Sequence, residues 1–283
     1  MDWLLFTLIS VFSLSVSVIF QRVLIHRDKT DPYAYVVLFQ AVVGVLLTCV
    51  AIVRGFELPN IHTVLLPAAL SIVFFGAGHI VYAKTLQRVE ASAFSILFAT
   101  QAVWIMLLGI VLLNETMTGM QIAGSVLILA GIVILTKKLR TLLADKGTLL
   151  GLLTGLMFGI AIYTWSYVGR FTEPVSWAAF SFIATSLVAL AIRPRSVRKM
   201  PPLLRPNVAW KLIALGVLYG IGSLAMLLAY KTGTFALVTP IRQTSIVVTV
   251  ILALTFLPAE RKGVKRKLLA ALVCVVGTIL IVV

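Results

Sequence analysis

Long apolar runs separated by short charged gaps recur along the whole chain, at roughly 3–24, 33–53, 61–83, 91–113, 117–136, 147–169, 174–192, 208–230, 235–257 and 264–283. A helix that crosses the hydrocarbon core of a bilayer needs about 20 mostly apolar residues, because lipid offers its backbone no hydrogen-bond partner. Each run meets or approaches that length, and the gaps are too short to hold an inserted domain. The pattern predicts an all-α integral membrane protein with ten transmembrane helices. The 283-residue chain is 61% hydrophobic and 12% charged, whereas soluble domains run nearer half apolar and a quarter charged. Met1-Asp2-Trp3-Leu4 lacks a basic leader region and reads as the start of the first span rather than a cleaved signal. The expected location is a cell membrane, plasma or inner, crossed many times.

The formal charge of +15 suggests nucleic acid only if it forms a basic face on a folded domain. Here the basic residues fill the gaps instead, so nucleic acid is excluded as a partner and the bilayer takes its place. The odd gaps hold 20 Lys and Arg, whereas the even gaps hold only Arg54, Arg170 and Lys231. By the positive-inside rule the odd gaps are cytoplasmic and both termini face outward. The most basic gap, Arg193 to Lys211, reads as a topology anchor, with contact to anionic lipid as the alternative.

Two halves of the chain repeat. Ala83-Lys84-Thr85, Leu113-Asn114-Glu115 and Gly131-Ile132 recur in order as Tyr230-Lys231-Thr232, Pro258-Ala259-Glu260 and Gly277-Thr278. The units are 1–140 and 141–283. Each holds five helices, and because five is odd the second unit enters the membrane from the opposite side. The fold expected is two inverted five-helix repeats, an arrangement found in many secondary transporters.

A short gap bearing Glu115, followed by Gly124-Ser125-Val126-Leu127-Ile128-Leu129-Ala130-Gly131-Ile132, resembles the end of an EamA unit of the drug/metabolite transporter superfamily. The second copy, Glu260 through Val283, resembles it less closely. The resemblance spans the chain as two tandem units. It implies a ten-helix carrier of amino acids, metabolites, sugars or drugs, with a central cavity between the halves. It also implies cytoplasmic termini, opposite to the charge distribution.

The chemistry points the same way. The nine acids all lie outside the middles of the apolar runs, and His26, His62 and His79 do not cluster. No acid/base or nucleophile constellation is present, so an enzyme is not expected, nor is a metal or cofactor site. A membrane-embedded lipid-handling protein is the alternative from another class. Arg242 is the single Lys or Arg well inside an apolar run. An ionisable group at that depth is expensive, and function is its default explanation. Aligning the repeats on Glu115 and Glu260 places Arg242 opposite Leu97, so one half alone carries the charge. A fixed cation repels organic cations and can pair with a carboxylate or phosphate. The predicted activity is secondary-active transport of a small polar solute, an amino acid or an anionic or zwitterionic metabolite, by alternating access. A multidrug or cationic-compound exporter is the alternative within the superfamily.

Polar stripes at helical spacing supply the other candidate substrate contacts. They are Ser13 and Ser17 on the first helix, His79 and Tyr82 on the third, and Gln101 and Trp104 on the fourth. Tyr163 on the sixth, Tyr219 and Ser223 on the eighth, and Thr239 and Gln243 beside Arg242 complete the set. Tyr163, Trp165 and Tyr167 read first as an interfacial aromatic belt, with a substrate box as the alternative. Gly151, Gly155 and Gly159, with Gly216 and Gly220, form ridges suited to close helix approach, either within the chain or across a homodimer. Cys49 and Cys274 read as small buried hydrophobes, and the fifth and tenth helices as peripheral and lipid-facing.

Overall fold

The computed structural model describes residues 2–27, 30–57, 64–104, 107, 118–136, 145–233, 238 and 241–282. Ten α-helices lie among them. They are α1 (Asp2–Arg22), α2 (Pro32–Arg54), α3 (Leu65–Arg88), α4 (Ala91–Phe98), α5 (Gly119–Thr136), α6 (Lys146–Val168), α7 (Pro174–Ile192), α8 (Pro206–Thr232), α9 (Ser245–Phe256) and α10 (Val264–Val282). The apolar segments that contain α1, α2, α3, α6, α7 and α8 are long and apolar enough to cross a membrane, and shorter apolar helices cover Ala91–Trp104, Gly119–Leu135 and Ile241–Phe256. The chain is a multi-pass membrane protein.

Helix starts follow local chemistry. Pro32 and Pro174 occupy first positions, and the preceding carboxylates cap them: Asp31 accepts from the Tyr33 and Ala34 N–H groups, and Glu173 from Ser176 N–H at 2.6 Å. Pro206 opens α8, with Asn207 inside its first turn.

The packing follows a two-fold exchange of the halves. α3 lies along α6 as α8 lies along α1; α3 touches α7 as α8 touches α2; and α2–α7, α4–α9 and α5–α10 pair with their own counterparts. Contacts fix the direction of these pairs. Gly124 meets Gly277 while Gly131 meets Ala270 and Cys274, and Gly44 meets Ile183 while the Ser186 hydroxyl donates to the Val37 carbonyl. Both pairs are therefore antiparallel.

Two bodies result. α1, α2, α3, α6, α7 and α8 share one core, around Trp177, Tyr35 and Phe39. α4, α5, α9 and α10 share another, around Ile128, Ile132, Val250 and Cys274. α5 and α10 are peripheral as expected, but one face of each is committed to the other. A Cβ on Gly277 would lie 2.6 Å from the Gly124 carbonyl oxygen, so only glycine permits this approach. The ridge Gly151, Gly155 and Gly159 is filled by Leu97, Thr100, Gln101 and Trp104, and Gly216 by Val42, all of the same chain. Cys274 is buried, whereas Cys49 is exposed on the outer face of α2.

Candidate functional site

Both helices at the centre of the repeats break. α4 gives way to a turn at Ala99 and Thr100 before helix resumes at Gln101, and a short helical stretch from Ile241 turns at Thr244 before α9 begins. At each break the threonine N–H and hydroxyl turn back onto the carbonyl three residues earlier. Thr100 bonds Leu97 O (Oγ1 at 2.8 Å) and Thr244 bonds Ile241 O (Oγ1 at 2.6 Å). A hydroxyl that takes a helix carbonyl in this way favours a bend. Interrupted helices at matching positions of two repeats are the usual sign of a transporter site.

Beside these breaks lies a cavity of about 100 Å³. Every helix except α5, α9 and α10 lines it, and Arg242 enters from the stretch before α9. Its walls are largely aromatic. Phe158 sits at the hub, 4.8 Å from His79, 5.1 Å from Phe98 and 5.5 Å from Phe75 between ring centroids. Phe182 and Trp165 complete the wall. Polar and ionisable side chains are set among the apolar ones on every lining helix except α4 and α6.

Arg242 is buried, 9% exposed. Its Nη1 donates to the Met226 sulfur at 3.2 Å, and its Nε has no partner. Among the described residues no carboxylate pairs with it. Gln40 on α2 is fully buried and lines the same cavity, and neither atom of its amide has a partner. An unsatisfied buried polar group costs about 1–3 kcal/mol, so a Gln and an Arg left open on one cavity need a reason. His79 is held: its Nδ1–H donates to the Phe75 carbonyl at 2.8 Å, which leaves Nε2 to accept from the Tyr219 hydroxyl at 3.4 Å. Trp165 Nε1 donates to Ser181 Oγ at 2.9 Å, fixing both.

Six sequence candidates meet here: Arg242, His79, Tyr82, Ser17, Tyr219 and Ser223. Five do not line the cavity. Gln243 is buried elsewhere, and Gln101 and Trp104 pack on the α6 glycine ridge. Ser13 lies against Gly222 of α8, and Tyr163 stands off the cavity wall. Thr239 lies outside the described residues. Of the aromatic group on α6, Tyr167 is 41% exposed with its ring tilted against Phe171, as a belt residue would be, whereas Trp165 points inward. Gln40, Ser181 and Thr185 carried a signal that was passed over. Ser181 and Thr185 are one turn apart on α7, and Gln40 interrupts an aliphatic run. Phe158 and Phe182 carried none, because an aromatic in an apolar run looks the same whether it faces lipid, core or cavity.

A second buried charge was also missed. Glu260, 3% exposed, sits in a 3₁₀ turn (Pro258–Glu260) between α9 and α10. Its carboxylate caps α4 in the other half, accepting from Ala91 N–H at 2.8 Å, Ser92 N–H at 3.0 Å and the Ser92 hydroxyl at 2.9 Å. Arg22 Nε lies 3.6 Å from it. Lys267 donates to the Glu260 carbonyl at 2.6 Å and also pairs with the Glu90 carboxylate.

A bundle of membrane-length helices around a small cavity lined by buried polar and aromatic side chains is the build of a membrane transporter. The model of the EamA-like transporter family matches residues 1–137 and 145–283, and the chain belongs to that family as two tandem units. No curated protein matches the sequence. A solved structure titled only "Crystal structure of protein" shares the fold, with a TM-score of 0.66 at 16% identity, over 98% of this chain and 94% of that one.

Proposed function

We propose that the protein is a secondary-active carrier of a small amphipathic anion or zwitterion, working by alternating access with ten spanning helices in two inverted repeats. The antiparallel pairing of α2 with α7 and of α5 with α10 supports the inversion, since a half-turn about an axis in the membrane plane reverses each helix. The breaks in α4 and before α9 supply hinges where the four-helix body can tilt against the six-helix body.

The observation that carries the substrate reading is Arg242, a buried guanidinium facing the cavity with no acid among the described residues to neutralise it. A substrate carboxylate would accept from the unpartnered Nε–H, the Gln40 amide would accept or donate beside it, and an apolar body would lie against Phe75, Phe158 and Phe182. A cavity near 100 Å³ is well below the roughly 300–1,000 Å³ of drug-sized sites, which favours a small solute. The aromatic wall also suits an organic cation, and that is the second reading. Cation–π attraction reaches about 2 kcal/mol when desolvated, whereas a like charge 4 Å away costs about 4 kcal/mol at an effective dielectric near 20. Repulsion by Arg242 wins at close range.

Proteoliposome uptake of labelled amino acids, aliphatic and aromatic carboxylates and cationic dyes tests this. Carboxylate-bearing probes are expected to enter and dyes not, with uptake falling at least tenfold in Arg242→Ala. Normal uptake by both Arg242→Ala and Arg242→Lys would sink the substrate reading. We also propose outward-facing termini; a tag at Val283 that reagents reach only from inside would reverse that orientation.

A further inference from the structure

His79 lies well inside α3, 3% exposed, and lines the same cavity as Arg242. Its Nδ1 is taken by the Phe75 carbonyl, so the nitrogen left over is Nε2, 3.4 Å from the Tyr219 hydroxyl. Ser223 bonds that hydroxyl in turn, and the charge of Arg242 reaches it. Imidazole, phenol and serine hydroxyl thus form one chain on the wall that also carries the guanidinium.

This chain can hold a proton without rearranging. While Nε2 is bare, the Tyr219 hydroxyl donates to it. Once Nε2 carries a proton it donates to the Tyr219 oxygen, and the phenol hydrogen turns to the Ser223 oxygen. Each bond reverses and none is lost, because a hydroxyl both donates and accepts. What opposes the proton is charge. The titratable groups around His79 are Tyr82 on its own helix, Tyr219 on α8 and Tyr35 on α2, with ring centroids of the first two at 6.2 and 6.3 Å and Tyr35 behind Phe39. The charged group is Arg242, and α1, α4, α6 and α7 present no ionisable side chain to the cavity. A proton on the empty site would put two cations on one wall, with no carboxylate among the described lining residues to balance them. An anion held at Arg242 removes that opposition and adds its own attraction.

We propose that His79 is a proton-binding site that fills when an anion occupies Arg242, so that anion and proton cross together. The inference deepens the anion reading above and rests on it. The proton comes from water on the side of entry and returns to water on the other; the only covalent bond made and broken is Nε2–H. The coupling is reciprocal: an anion that favours the proton is favoured by it to the same factor. Histidine suits this task because its charge changes within the physiological pH range, whereas that of the guanidinium does not.

Equilibrium binding of radiolabelled benzoate to the full chain in detergent tests the coupling. Benzoate stays ionised near neutral pH and brings a ring to the aromatic wall. One proton taken up with each anion changes affinity by up to about tenfold per pH unit, so binding about tenfold tighter at pH 6 than at pH 7.5 is expected. His79→Gln should still bind benzoate but lose that dependence. A second measurement leaves the site untouched. The double variant His26→Gln, His62→Gln keeps His79 as the only histidine, and its ring ¹⁵N NMR signals should move from neutral to charged when benzoate is added at pH 6. The proposal is overturned, and the anion reading kept, if benzoate binds equally at both pH values or leaves His79 neutral. It is overturned likewise if the pH dependence survives His79→Gln. If no carboxylate of the uptake panel binds, the anion reading fails first and this inference with it.

Discussion

Glu260 and Arg242 are both buried charges in the second half of the chain, and they differ in what surrounds them. Glu260 is satisfied by the protein: two backbone N–H groups, a hydroxyl and a guanidinium converge on its carboxylate. Arg242 is not; a thioether takes one nitrogen and another has no partner. A buried charge that is fully met from within holds structure together. One left open on a cavity is available to a solute, the role proposed for Arg242. Burial alone would have ranked the two alike.

The largest expected effect tests the satisfied charge. Glu260→Ala strands the first N–H groups of α4 and the charge of Arg22, and removing one partner of a buried pair typically costs about 3–5 kcal/mol. Unfolding in detergent, followed by far-UV circular dichroism, should show a loss of that order; a loss under about 1 kcal/mol would erase the contrast. Gly277→Ala is the uncharged control in the same four-helix body. Its Cβ meets the Gly124 carbonyl at 2.6 Å, and overpacking of this kind costs about 1–3 kcal/mol, read in the same assay.

Next comes an exposed, satisfied charge. Asp145 caps α6, accepting from the Thr148 hydroxyl and N–H at 2.8 and 2.7 Å, and those bonds hold its carboxyl below the ordinary carboxylate range. Asp145→Ala should cost about 1 kcal/mol. A depressed folded pKa means the contribution is complete above the unfolded value and is lost as pH falls through the folded one. The wild-type advantage over Asp145→Asn should therefore hold at pH 7 and shrink below about pH 4. Arg242→Ala is expected to change unfolding least, by under about 0.5 kcal/mol, while uptake collapses. A stability loss matching that of Glu260→Ala would mean that Arg242 is a second structural charge.

Much of the fold was legible because lipid imposes a harsh rule on sequence. Apolar runs of helical length reflect one local constraint, and six of them form helices long enough to cross a membrane. The repeat was visible through Lys84-Thr85 and Lys231-Thr232, and the exchange packing of the helices follows it. The site was half legible. Arg242, His79, Tyr82, Ser17, Tyr219 and Ser223 carried the signal of a polar group at depth, but so did Gln101, Ser13 and Gln243. Polarity marks a side chain that avoids lipid; it does not tell a cavity from a helix contact. Gln101 went to the Gly155–Gly159 ridge, which the sequence offered equally to a second copy.

By itself, the sequence determined the membrane, the helices, the two halves and the one cation at depth. These depend on residue type and spacing along a single segment. The tertiary structure decided which polar groups share a cavity, that Glu260 reaches across to cap α4 some 169 residues away, and that Trp165 faces in while Tyr167 faces out. Those outcomes depend on how helices far apart in sequence rotate and pair. A helix can carry a polar stripe without specifying what the stripe will meet.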